Sequence, residues 1–111
     1  MRTRGDWEIT PEELHTRQSN GETPVLLDVR RHDEIAVAAI EGAVHIPLDE
    51  LEERVSELDS ARETVVFCHH GVRSLSATGF LRQKGFAAVK SLAGGIDRWS
   101  VVVDPSVPRY G

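Results

Sequence analysis

The residues most able to do chemistry lie in one short stretch. Residues 64–76 read T-V-V-F-C-H-H-G-V-R-S-L-S and contain the only cysteine, Cys68. The β-branched and aromatic run Thr64–Phe67 has the composition of a buried strand. Ser74 is a good helix N-cap, and Leu75, Ala77, Thr78 and Leu81 continue a helical pattern, so a helix is expected over residues 74–84. A thiol between a strand end and a helix start faces backbone N–H groups that have no intrahelical partner. Those donors and the positive end of the helix dipole favour an anion, either a thiolate or a bound oxyanion. Arg73 adds a permanent charge, and Gly71 lets the loop turn inward. A lone cysteine after an apolar strand is, by itself, read as a small buried hydrophobe. His69, His70, Gly71, Val72 and Arg73 ahead of a capped helix favour a nucleophile instead, because electropositive loops stabilise the thiolate.

The elements that must position this loop are short and alternate in type. Residues 7–9 suit an edge strand. Thr10 caps a helix with Pro11 at its first position, and Thr10 and Glu13 have the spacing of a capping box. That helix should end at the turn cluster of residues 19–21. Residues 25–29 form an apolar run broken by one acid, as in a central parallel strand covered on both faces. Asp28 stands near its carboxyl end, where ligands collect in open α/β sheets, although bonding nearby amides or pairing with Arg30 is its simplest role. A short helix capped by Asp33 should carry Ile35, Ala36, Ala39 and Ile40. A strand over 43–46 stops at Pro47, and His45 on it is expected to be a hydrogen-bonded core residue. Leu48, Leu51, Val55 and Leu58 recur at helical spacing beside a solvated acidic face, predicting one helix. Gly85 should end the helix after the loop, and residues 86–90 the last strand. Residues 91–95 read as a turn whose glycines let the backbone pass close to the active loop. Residues 96–102 suit a final helix with Trp99 as a core anchor. The two prolines in residues 103–111 exclude regular structure there, leaving a tail that lies across the domain or hangs free.

The totals bound the function. A chain of 111 residues suits one domain over 1–111, with residues 103–111 as its proline-containing C-terminal tail. A net charge of -5 argues against a general nucleic-acid or anionic-membrane surface. One cysteine excludes a disulfide framework and a Cys-rich zinc site, and no metal is expected. A thiol kept free fits a reducing cytoplasm. The first residues hold no apolar signal region, and no run approaches membrane-spanning length.

Residues 68–74, C-H-H-G-V-R-S, resemble the active-site loop of rhodanese-like sulfurtransferases. Three further segments resemble the same family in the same order: L-L-D-V-R at 26–30, E-G-A-V-H-I-P at 41–47 and L-A-G-G-I-D-R-W at 92–99. Together they span most of the chain. Where family members often carry an aromatic after the glutamate and a Gly-His pair before the isoleucine, this chain has Ile35 and Ala38-Ala39. The resemblance implies an α/β domain with a mostly parallel central sheet of about five strands and helices on both faces. It implies sulfane sulfur transfer through a persulfide on Cys68, with a small anionic donor such as thiosulfate and no cofactor. His69, His70, Gly71, Val72, Arg73 and Ser74 would bind the substrate, with Asp28 and Arg30 supporting the wall. The tail is similar to endings of rhodanese domains joined to ubiquitin-like-protein activating enzymes, which points to such an enzyme or a protein sulfur acceptor as a partner. Two other readings stand beside this one. Phosphatases and arsenate reductases use a Cys-to-Arg loop longer by one residue than the four residues at 69–72, and some rhodanese-like domains are silent binding modules.

Overall fold

A computed structural model describes residues 7–111. Strands β1 (Glu8–Ile9), β2 (Val25–Asp28), β3 (Val44–His45), β4 (Thr64–Phe67) and β5 (Val89–Leu92) form one sheet in the order β1-β5-β4-β2-β3. Every neighbouring pair is parallel. Helices α1 (Pro11–Ser19), α2 (His32–Val37), α3 (Leu51–Arg54) and α4 (Val72–Gln83) connect them, and α5 (Gly95–Val102) follows β5. The expected five-stranded α/β layer is therefore present, with β4 at its centre.

The period-two alternation of β4 divides the core. Val66 and Cys68 face a cluster with Leu51, Ala77, Leu81 and Phe86, from α3, α4 and the segment after α4. Val65 and Phe67 face the opposite cluster, with Leu14 of α1 and Ile96 and Trp99 of α5. Both faces of the sheet are thus covered, and all four β4 residues are buried. Among the described residues, no helix is long and apolar enough to cross a membrane.

Local signals explain most boundaries. Thr10 Oγ1 accepts the Glu13 N–H at 3.1 Å while Glu13 Oε1 accepts the Thr10 N–H at 2.8 Å, completing the capping box of α1. Trp99 is buried in its cluster. His45 donates its Nε2 proton to the Arg30 carbonyl at 2.7 Å.

Several boundaries differ from expectation. The Leu48-to-Leu58 stripe is not one helix, because only α3 is α-helical and it lies between 3₁₀ turns at Leu48–Glu50 and Val55–Glu57. The first and last intervals of that stripe are three residues, and side chains three apart eclipse in a 3₁₀ turn, so the stripe still faces the core. α2 is capped from Arg31 rather than Asp33, the Glu34 carboxylate accepting the Arg31 N–H at 3.1 Å. It ends at Val37, leaving Ala39 and Ile40 outside. The last strand begins at Val89 because Phe86 belongs to the end of α4: Gly85 takes φ +95° and the Phe86 N–H returns to the Leu81 carbonyl. The tail docks on the domain, with Val107 buried and its carbonyl accepting from Ser100 Oγ at 2.6 Å.

Candidate active site

Cys68 follows the last residue of β4 and is 1 % exposed. Gly71, at φ +103°, reverses the chain and occupies the N-cap of α4. The helix therefore begins two residues before the expected start, and Ser74 is not its cap. A glycine cap has no side chain to accept the free N–H groups of the first turn, and the sulfur takes that place. Cys68 Sγ accepts the Gly71 N–H at 3.1 Å and the Ser74 N–H at 3.3 Å. The Ser74 side chain turns inward instead, its Oγ lying 3.4 Å from Sγ and 2.7 Å from Ser91 Oγ on β5. The sulfur thus sits at the positive end of a helix twelve residues long.

The loop carbonyls are held on the other side. The Ile96 N–H donates to the Cys68 carbonyl at 2.8 Å and the Asp97 N–H to the His69 carbonyl at 3.1 Å. These are first-turn amides of α5, so one helix start binds the loop's acceptors while another presents donors to its sulfur. The approach requires glycine at 95: φ is +64°, and an added Cβ would lie 2.4 Å from both the Cys68 and His69 oxygens. The close passage expected of residues 91–95 is realised by the two glycines, whereas Ser91 and Leu92 belong to β5.

Arg73, in the first turn of α4, pairs with a carboxylate of α2. Its Nη1 and Nη2 donate to the two oxygens of Glu34 at 2.6 and 2.9 Å, a bidentate pair in which the Glu34 side chain is 5 % exposed. Glu34 pushes the Arg73 pKa up, against burial. Reciprocally, Arg73 holds the Glu34 carboxyl far below the ordinary carboxylate range, against burial.

Behind this pair lies a second, fully buried one. Arg30, 0 % exposed, donates through Nε and Nη2 to Asp28 at 3.0 and 2.7 Å and through Nη2 to the Ala38 carbonyl at 2.8 Å. Asp28 also accepts the Arg30 N–H. Burial opposes the Arg30 charge, but Asp28 and Tyr110 more than offset it and the pKa is raised. Tyr110 Oη accepts from Arg30 Nη1 at 2.9 Å and donates to Glu34 at 2.8 Å, linking the two pairs.

His69 and His70 stand at the loop mouth with ring centroids 3.8 Å apart. His70 is exposed, its Nδ1 4.0 Å from Asp97 Oδ2. Val72 is exposed as well. On the Arg73 side a cleft of about 380 Å³ is bounded by Val29, Arg31, Pro47, Leu48, Asp49 and Arg73. Among the described residues no cluster of three His, Cys, Asp or Glu side chains is arranged to hold a metal.

Sequence reasoning missed Glu34, Ser91, Asp97 and Tyr110. Glu34 read as a helix-start acid and Tyr110 as part of an irregular tail, because their partners lie 39 and 76 residues away. The one usable signal was Tyr110 itself, the only tyrosine in the chain.

The family model for the rhodanese-like domain matches residues 10–101. The chain is 37% identical over 93 residues to a sulfurtransferase of Allochromatium vinosum, covering 84% of this chain and 87% of that protein. It is 33% identical to the thiosulfate sulfurtransferase GlpE of Actinobacillus succinogenes, covering 94% and 93%. Its fold matches the human single-domain sulfurtransferase TSTD1 with a TM-score of 0.77 at 28% identity, over 88% of this chain and 98% of that one. Other relatives are much longer. The chain spans 37% of the chloroplastic rhodanese-like/PpiC domain-containing protein 12 of Arabidopsis thaliana, at 34% identity over 93% of this chain. It spans 23% of the adenylyltransferase and sulfurtransferase MOCS3-2 of Zea mays, at 37% identity over 92% of this chain. With the matched segment running from the α1 cap into α5, this chain belongs to the rhodanese-like domain family.

Proposed function

We propose that this domain is a sulfurtransferase that carries sulfane sulfur on Cys68. The thiolate attacks the outer sulfur of a donor such as thiosulfate. A new S–S bond forms, the S–S bond of the donor breaks with its electron pair leaving on sulfite, and Cys68 is left as a persulfide. A second nucleophile, cyanide in an assay or a thiol or protein acceptor in the cell, takes the outer sulfur and returns the thiolate. The observation that carries this reading is the sulfur accepting two N–H groups, from Gly71 and Ser74, at the start of α4. Donors fixed before the reaction stabilise charge on sulfur without reorganising.

In this reading Cys68 is the nucleophile and residues 69–74 form the cradle for donor and persulfide. His69 and His70 line the loop mouth, where an anionic donor would enter. Asp28 and Arg30 hold the wall, now joined by Glu34, which fixes the direction of Arg73. The likeness to a sulfurtransferase, to a thiosulfate sulfurtransferase and to human TSTD1 supports the transfer chemistry. Likeness to the maize adenylyltransferase and sulfurtransferase and to a putative sulfur carrier protein of Bacillus subtilis supports a protein acceptor. A free thiol of this kind suits the reducing cytoplasm.

The test is turnover of thiosulfate and cyanide to thiocyanate by the purified chain and by Cys68→Ser. The reading expects turnover in the first and none in the second. Equal thiocyanate production by both would refute it.

A further inference from the structure

The last residues of the sequence are built into the loop rather than laid beside it. The Tyr110 ring stacks on the His69 imidazole at 3.9 Å between centroids with an interplanar angle of 8°. His69 Nε2 lies 2.8 Å from the Tyr110 carbonyl oxygen. A carbonyl only accepts, so Nε2 carries the proton, and in the neutral ring Nδ1 is left as the free acceptor. His69 is thus held between Tyr110 and His70, its other ring neighbour at 3.8 Å. The Tyr110 hydroxyl meanwhile occupies the centre of the chain Asp28, Arg30, Tyr110, Glu34, Arg73, in which each member hydrogen-bonds the next. Burial, the largest influence, pushes the Tyr110 hydroxyl pKa up, so it stays a donor to Glu34. Arg109 anchors the same segment on Asp97 at 2.9 and 3.1 Å, and Asp97 is the residue whose N–H holds the His69 carbonyl.

We propose that Tyr110 is a positioning residue of the active-site loop, fixing His69 by stacking and by accepting its Nε2 proton, and fixing Arg73 through Glu34. This rests on the sulfur-transfer reading and deepens it. The loop is held from three directions: by α4 at the sulfur, by α5 at the carbonyls, and by the tail at the side chains. Without the Tyr110 ring the His69 imidazole loses its stacked neighbour on the tail side and keeps only the main-chain carbonyl. Without the hydroxyl, Glu34 keeps Arg73 and the Arg31 N–H but loses its bond from Tyr110, and Arg30 Nη1 keeps only a long contact of 3.4 Å to the Glu34 carbonyl.

The experiment compares the full chain with Tyr110→Phe, Tyr110→Ala, His69→Ala and the double variant His69→Ala/Tyr110→Ala. NMR of the imidazole protons reads the placement independently of activity. His69 should be shifted upfield by the Tyr110 ring in the wild type, keep that shift in Tyr110→Phe, and lose it in Tyr110→Ala. Persulfide formation from thiosulfate should fall only a few-fold in Tyr110→Phe, which loses the hydroxyl alone, and about tenfold in Tyr110→Ala, which also loses the ring stacked on His69. The Tyr110→Ala loss should shrink to that of Tyr110→Phe when His69 is already alanine. A merely structural tail would give losses that simply multiply, and that outcome overturns the proposal. So does wild-type loading in Tyr110→Ala, or a His69 signal that ignores the substitution. If Tyr110→Ala does not fold, Tyr110→Phe with Glu34→Gln decides. The Phe loss should vanish in that background, and its full persistence counts against the claim. A wild type that accepts no sulfur at all overturns the parent reading, and this one with it.

Discussion

Gly95 lies directly against the Cys68 carbonyl, so closely that a Cβ at 95 would stand 2.4 Å from that oxygen. The contact lets the first amides of α5 bind the loop's carbonyls. Gly95→Ala should therefore disturb the loop as well as the fold. Destabilisation of about 1–3 kcal/mol is expected from the left-handed backbone position alone, with a larger fall in thiocyanate production than the folded fraction explains. Thermal unfolding and the thiosulfate–cyanide assay on the same sample check this. Wild-type turnover would show that the carbonyls need no such anchor.

Arg30 is completely buried, and Asp28 is its charged partner at 2.7 Å. Removing one member of a buried pair leaves the other charge uncompensated, a cost of about 3–5 kcal/mol. Asp28→Asn should lower the unfolding free energy, read from urea titration, by that much while leaving Cys68 in place. A change below about 0.5 kcal/mol, the range of ordinary surface substitutions, would show that water or the remaining carbonyl partners satisfy the guanidinium.

Much of the scaffold was legible before the fold was known, because its determinants are local. Thr10 and Glu13 specify the start of α1 within four positions, and the Gly94-Gly95 pair announces a close backbone approach. The apolar runs at 25–29 and 64–67 mark strands covered on both faces. What escaped was set at a distance. Ser74 reads as a cap because serine usually is one, but here the Cys68 sulfur supplies the acceptor and frees the serine to meet Ser91 across the core. The pairing of Arg73 with Glu34 was not legible because Glu34 belongs to another helix, 39 residues away in sequence. Tyr110 carried no pattern at all, since prolines mask periodicity and its contacts lie on three different elements.

The Glu34–Arg73 pair gives the domain an acid sensitivity of known sign. Arg73 holds the Glu34 carboxyl far below its ordinary value of 4.5. A carboxylate whose pKa is lower folded than unfolded contributes stability that is complete above the unfolded value and is lost as pH falls below it. Glu34→Gln should be less stable than wild type near pH 7, and the gap should narrow as the pH drops below about 4.5. Unfolding midpoints of both proteins across pH 3–7 test it. Parallel curves would mean that the pair contributes nothing through charge.

Arg73 also bears on the phosphatase reading. The cradle of such enzymes is longer by one residue than the four at 69–72 that separate Cys68 from Arg73, so this loop offers fewer inward N–H groups to a phosphate. The purified chain should show no Cys68-dependent hydrolysis of an aryl phosphate. Hydrolysis that disappears in Cys68→Ser would restore that reading.

The central claim is that Cys68, held by the Gly71 and Ser74 amides, carries one sulfur atom. Intact mass spectrometry measures it directly, because this chain has no second cysteine to confuse the result. After thiosulfate the mass should rise by a single sulfur, return to its starting value after cyanide, and stay constant throughout in Cys68→Ser. No gain in the wild type, or the same gain in Cys68→Ser, would contradict the account.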